Sequence, residues 1–294
     1  MKPNLLDYIN QYKEVIQKEF NHCLENMDIP QQLKSSMLYS LEAGGKRLRP
    51  VLLIASYQAY QNEVSKVIST AAALEMVHTY SLIHDDLPAM DDDDYRRGKL
   101  TNHKAFNEAT AILAGDALLT YSFELITNDP SLSDREKVTI IKMLASCSGP
   151  SGMVGGQILD MEAENQPVSL DAMERIHALK TSELLKFAIY TGAYLGKATE
   201  EQLAHLKTFA YYLGLIFQVQ DDILDVTGEQ EKLGKPVGSD EGNRKSTYPK
   251  LLGVAGAVEQ KEKYAIKAKE SLMKAGAQDS YLMDLTDYFS TRDH

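Results

Sequence analysis

Apolar residues recur at three- and four-residue intervals through most of the chain, and β-branched residues rarely alternate with polar ones. That periodicity predicts helices with one buried stripe, not strands. The expected spans are about 4–26, 30–43, 51–60, 65–87, 105–128, 134–147, 152–163, 171–195, 200–227 and 246–273, with a last helix near 279–290. Punctuation agrees. Asp28-Ile29-Pro30 precedes the second helix, Gly44-Gly45 closes it, and Pro50 sits where the third begins. Pro88 follows the fourth, and Asn128-Asp129-Pro130 closes the fifth. The stretches 65–87 and 203–226 are apolar nearly all round until their last turns, which places them inside a large bundle. No Gly/Ser/Pro-rich linker, repeat or low-complexity tract divides the chain. Residues 1–294 therefore predict one large all-α domain, with the long loops 88–104 and 228–245 forming the functional end.

Composition changes the picture chiefly by exclusion. The 294 residues are 44% hydrophobic and 25% charged, enough for a sizeable core and unlike a disordered chain. A formal net charge of −11 argues against nucleic acid as a partner, since phosphate binding needs surplus Lys and Arg. Cys23 and Cys147 are the two cysteines, too few and too far apart for a disulfide framework or a thiolate zinc site. The opening Met1-Lys2-Pro3-Asn4-Leu5-Leu6-Asp7 has no apolar signal core, and no run of 18 uninterrupted apolar residues suggests a membrane span. A cytoplasmic location is expected.

The acidity is concentrated. Asp85-Asp86-Leu87-Pro88-Ala89-Met90-Asp91-Asp92-Asp93-Asp94 holds six aspartates in ten residues, and Asp221-Asp222-Ile223-Leu224-Asp225 holds three more. Each cluster ends a helix that is otherwise apolar. A solvated charge run is the plain reading, but aspartate is a weak helix former. Near a helix C-terminus it also opposes the macrodipole by about 0.3–1 kcal/mol per group. Asp221 and Asp225, four residues apart, point the same way and repel unless something positive lies between them. Paired hard oxygen donors suit Mg²⁺, which takes one or two carboxylates and completes its shell with water and substrate phosphate. A calcium loop is a poor match, because Arg96 stands where the EF-hand template needs Gly and Asn102 where it needs Glu.

Basic residues accompany the carboxylates. Gly44-Gly45-Lys46-Arg47-Leu48-Arg49-Pro50 puts three cations at a helix–helix corner, where Arg47 and Arg49 crowd the positive start of a helix that a bound anion would relieve. Arg96-Arg97-Gly98-Lys99 follows the first cluster directly. Lys180 lies mid-helix, and Lys235 and Lys245 lie in the loop after the second cluster. His78 is two turns below Asp85 on nearly the same face.

Together these residues resemble the trans-polyprenyl diphosphate synthase family, most closely its bacterial farnesyl-producing members. The first aspartate-rich motif of that family takes its DDxxxxD form at Asp85, Asp86 and Asp91, and the second is Asp221-Asp222-x-x-Asp225. The Gly-Gly-Lys-Arg-x-Arg-Pro corner, Arg96-Arg97-Gly98, Gly155-Gly156-Gln157 and Phe217-Gln218-x-Gln220-Asp221-Asp222 also match, over about residues 35–250. Lys180-Thr181-Ser182 departs from it, since the family usually has Gly third.

The resemblance implies an isoprenoid-synthase helical bundle with a central apolar cavity, acting as a homodimer. The implied reaction joins isopentenyl diphosphate to geranyl or dimethylallyl diphosphate to give farnesyl diphosphate, with geranylgeranyl or geranyl diphosphate as the alternative product. It further implies three Mg²⁺ ions held by Asp85, Asp91, Asp221 and Asp225, with Asp86 in support. Arg96, Lys180, Lys235 and Lys245 would contact the allylic diphosphate; Asp85, Asp86, Asp91, Lys180, Asp221 and Lys235 carry the catalytic step. Lys46, Arg49, His78 and Arg97 would hold isopentenyl diphosphate, and Thr181 and Gln218 would stabilise the allylic cation. An aromatic at Tyr80, with the two-residue insertion that Leu87–Met90 represents, is implied to stop growth at C15, although helical phase places Ser81 more directly beneath Asp85.

Overall fold

The structure, a computed structural model, describes residues 4–25, 27–163, 168–227 and 246–292. It is all-α. Helices α1 (Leu5–Glu25), α2 (Gln31–Leu41), α3 (Leu48–Gln58) and α4 (Ile68–Asp85) are followed by a ribbon of two short strands, β1 (Tyr95–Arg96) and β2 (Lys99–Leu100). Then come α5 (Asn102–Ala105), α6 (Glu108–Asn128), α7 (Asp134–Ser148), α8 (Met153–Ala163), α9 (Leu170–His177), a π-helical turn (Ala178–Ser182), α10 (Glu183–Leu195) and α11 (Glu200–Thr227). The last two are α12 (Tyr248–Lys274) and α13 (Tyr281–Thr291). The described residues fall into two compact units, one drawn from 1–54 and 63–141, the other from 55–62 and 142–294.

In the first unit, α1 buries Tyr8, Tyr12, Ile16, Phe20 and Leu24, one residue every four, along a single stripe. Its partner α4 is the hub. Ala71, Ala72, Ala73, Leu74, Met76 and Val77 have no exposed surface, as the all-round apolar pattern requires. Glu75 is a buried charge inside this helix, and Arg47 answers it with an ion pair of 2.8 Å. Leaving either charge without the other would cost about 3–5 kcal/mol. The α6 helix lies along α4, and Gly115 lets them approach. A methyl group there would collide with the His84 ring, whose Nε2 lies 3.1 Å from the Ile112 carbonyl oxygen. By length and composition α6 could cross a bilayer, but it packs on α4 and carries Asp116 and Glu124.

In the second unit α11 is the hub, burying Leu203, Leu206, Phe209, Ala210, Leu213, Leu215, Ile216 and Val219 against α10, α12 and α13. Three boundaries differ from the periodicity. The span expected as one helix over 171–195 is broken by the π-turn, which widens one turn at Ala178–Ser182. The span 246–273 contains Gly253 at φ 71°, a left-handed kink invisible to an apolar count. The loop 88–104 contains the ribbon, and the other long loop, 228–245, lies outside the described residues.

Candidate active site

The first acidic cluster is shaped by its spacing. Helix α4 ends at Asp85, and Leu87–Met90 forms a closed turn in which the Met90 amide donates to the Leu87 carbonyl at 2.8 Å. The Asp91 amide then donates to the Asp85 carbonyl at 2.9 Å. Four intervening residues thus return the chain so that Asp91 sits beside Asp85, Asp85 half-buried and Asp91 exposed. Asp86 turns inward instead. It is 3% exposed and accepts from Arg96 Nε at 2.7 Å. Burial raises its pKa, with the bond and charge of Arg96 pulling the other way. Arg96, expected to face diphosphate, is committed to Asp86 in this structure.

The ribbon separates Arg96 from Arg97. Arg97 and Gly98 have φ 53° and 75°, so the turn has both central residues left-handed, which matches the twist of a tight hairpin. Arg97 is aimed the other way and donates to the Gly44 carbonyl at 2.6 Å. Gly44 and Gly45, at φ 88° and 100°, form the corner, and a side chain on Gly45 would collide with the Arg97 guanidinium. Lys46 is half-buried in the same corner. Arg49 Nη1 lies 3.2 Å from His78 Nε2. Arginine offers only donors, so Nε2 accepts and the ring is neutral with its proton on Nδ1. Burial first, then the charges of Arg49, Arg97, Arg96 and Arg47, hold the His78 pKa well below its usual value. Desolvation, then Arg47, Arg96 and Arg49, likewise lowers that of Arg97, with Glu75 opposing. This is a cationic pocket whose members repel one another. One member is not free for an anion as the sequence suggested: the charge of Arg47 is met by Glu75 and by the Leu41 carbonyl.

Tyr80 is buried one turn before His84, its ring edge-on to the imidazole at 5.7 Å. Burial and then the Asp85 charge raise its pKa. The Ser81 hydroxyl is turned onto its own helix, donating to the His78 carbonyl at 2.8 Å.

In the second unit the π-turn carries Lys180 and Thr181. Helix α8 approaches it through Gly156, where a methyl group would strike the backbone of Leu179 and Lys180. One turn on from Gly156, Asp160 pairs with Lys180 at 2.7 Å. Thr181 Oγ1 donates to Gln218 Oε1 at 3.4 Å, and Gln218 Nε2 donates to Asp222 Oδ1 at 3.1 Å. Asp222 also accepts from the Tyr248 amide at 3.0 Å, which ties it to the start of α12. Lys180, Thr181, Gln218, Asp160, Asp222 and His177 line one pocket. Asp225 is 2% exposed. Asp221 is half-exposed and paired with Arg292. Lys235 and Lys245 lie outside the described residues.

Sequence reasoning missed Asp160, Glu75 and Arg292. Asp160 had a signal, since it follows Gly156 by four residues and so shares its face. Arg292 and Glu75 had none, their partners being 71 and 28 residues away.

The donors suit magnesium. Asp85 and Asp91, which the turn brings together, are hard oxygen donors, and Asp221 and Asp225 stand four residues apart on α11. Among the described residues no three His, Cys, Asp or Glu converge on one point.

Fold and site define a class: an all-helical protein with aspartate clusters at the ends of two buried helices and a cationic pocket. The polyprenyl synthetase family profile matches residues 30–282. The farnesyl diphosphate synthase of Bacillus subtilis (strain 168) is 48% identical, covering 100% of both chains, and that of Geobacillus stearothermophilus is 46% identical, covering 98% of this chain and 97% of its own. The apo crystal structure of an FPP/GFPP synthase from Zymomonas mobilis is similar at TM-score 0.87 and 34% identity, covering 98% and 99%. The chain belongs to the polyprenyl synthetase family.

Proposed function

We infer that the chain is a prenyltransferase that condenses isopentenyl diphosphate with geranyl or dimethylallyl diphosphate, giving farnesyl diphosphate and releasing diphosphate. The observation that carries this reading is the presence of two distinct cationic groups. Arg49, His78 and Arg97 with Lys46 form one, and Lys180 beside its carboxylates forms the other. Two diphosphates need two such groups, whereas an enzyme that only ionises one prenyl diphosphate needs a single one.

The allylic diphosphate is held by Lys180, with Arg96, Lys235 and Lys245 in the same role. Asp85, Asp91, Asp221 and Asp225 would hold the three Mg²⁺ ions, and Asp86 fixes Arg96 through their ion pair. The chemistry those ions would supply is an offset to the charge that grows on the departing diphosphate. The C–O bond to the allylic carbon breaks, and positive charge develops there. Thr181 donates to the Gln218 carbonyl oxygen, and the Gln218 amide nitrogen donates in turn to Asp222, so the hydroxyl and amide dipoles are fixed before that charge appears. The isopentenyl double bond, held through the Lys46, Arg49, His78 and Arg97 pocket, attacks to form the new carbon–carbon bond. The proton then lost goes to the released diphosphate. Neutral His78 offers hydrogen bonding without adding charge, and a diphosphate there relieves the repulsion among the guanidiniums.

The enzyme works as a homodimer, for which the exposed Ile112 and Leu113 on α6 supply apolar surface. It works in the cytoplasm, consistent with free thiols at Cys23 and Cys147. Incubation with Mg²⁺, isopentenyl diphosphate and geranyl diphosphate should give a C15 product by chromatography. Asp85→Asn should lower turnover by orders of magnitude. A C20 or C10 product would reassign the chain length, and full activity in Asp85→Asn would discard the metal assignment.

A further inference from the structure

Beyond the carboxylates themselves, the second cluster is fastened by the chain's carboxyl-terminal segment. Helix α13 stops at Thr291, and Arg292 continues in extended conformation, 9% exposed. Its guanidinium lies 4.2 Å over the Phe217 ring, donates to the Phe217 carbonyl at 3.2 Å, and pairs with Asp221 Oδ1. The Arg292 carbonyl accepts from Gln220 Nε2 at 2.6 Å. Lys261 of α12 then ties Gln220 Oε1, at 2.6 Å, to the Ser290 carbonyl, at 2.7 Å. Three helices thus converge on one buried cation, and that cation is spent on a residue of the acidic cluster.

We propose that Arg292 is a positioning residue for Asp221. The ion pair engages one carboxylate oxygen, Oδ1, and so fixes the plane of the group while Oδ2 is left to a divalent ion. Partners behind a metal ligand commonly change metal affinity by about 10- to 100-fold when removed. The guanidinium also offsets the repulsion between Asp221 and Asp225, letting the two carboxylates stand four residues apart before any ion arrives.

The proposal rests on the magnesium–diphosphate reading, and one titration separates the two. The melting temperature of the full chain is followed against Mg²⁺ in the presence of inorganic diphosphate, for wild type, Arg292→Gln and Arg292→Lys. Arg292→Gln should need about 10- to 100-fold more Mg²⁺ to reach half its stabilisation. Arg292→Lys, which keeps the charge and loses the planar fork, should fall between. The melting temperature without metal shows separately what each change does to the fold. An unchanged Mg²⁺ midpoint in Arg292→Gln, or in Arg292→Lys should the first variant fail to fold, overturns the proposal. So does a lowered midpoint, which would make Arg292 a competitor of the ion. A wild type that does not respond to Mg²⁺ and diphosphate removes the parent reading and this inference with it.

Discussion

His78 shows how much of the chemistry is decided at the scale of a single side chain. Its Nε2 must accept from Arg49, so protonation would set two cations face to face. With the folded pKa depressed, the unfolded chain takes up a proton near the usual value of 6.5 and the folded chain does not. The sign follows. The stabilising contribution of neutral His78 is full above that value and declines as pH falls below it, at up to about 1.4 kcal/mol per pH unit. Denaturant unfolding of His78→Gln should show a shallower loss of stability between pH 6.5 and 5 than the wild type; parallel curves would refute the assignment. Tyr80 belongs to the same scale. Its ring fills buried space beside His84 beneath the first cluster, and Tyr80→Ala opens that space. The variant should release C20 or longer products in the chromatographic assay, and a product still confined to C15 would mean the floor lies elsewhere.

At the scale of elements, the π-turn decides where Lys180 and Thr181 sit. Inserting one residue into a helical turn widens it, and here the widened turn bears Lys180 and Thr181. Ser182, where the family usually has Gly, has its hydroxyl 3.4 Å from the His177 carbonyl and packs against Gly214, which has no side chain to oppose it. The departure is therefore absorbed by the facing helix. On the other side Gly156 admits the turn's backbone directly. Gly156→Ala must push α8 from Lys180, with overpacking costing about 1–3 kcal/mol. Steady-state kinetics should show KM for the allylic substrate rising while KM for isopentenyl diphosphate stays near wild type. Equal rises in both would place the damage in the whole fold.

For the whole molecule, the two hubs and the two carboxylate clusters were legible in the sequence because each violates a local rule. Helix α4 is apolar nearly all round and α11 is so over Leu213–Phe217, and aspartates crowd their C-terminal ends against both propensity and dipole. What stayed hidden depends on partners distant in the chain. Arg47 read as an unanswered charge at a crowded helix start because Glu75 sits within an apolar helix whose phase gives no hint of the corner opposite. Arg292 was invisible for the same reason, and the π-turn because periodicity carries on through a single inserted residue.

The chain path has one further consequence. Residues 55–62 belong to the second compact unit although 1–54 and 63–141 belong to the first, so the backbone leaves one, visits the other and returns. A single recombination joint between two relatives therefore cannot exchange one unit intact. A functional chimaera has to carry the 55–62 excursion along with everything after 141, or import an α3 whose two ends were selected in different ancestors.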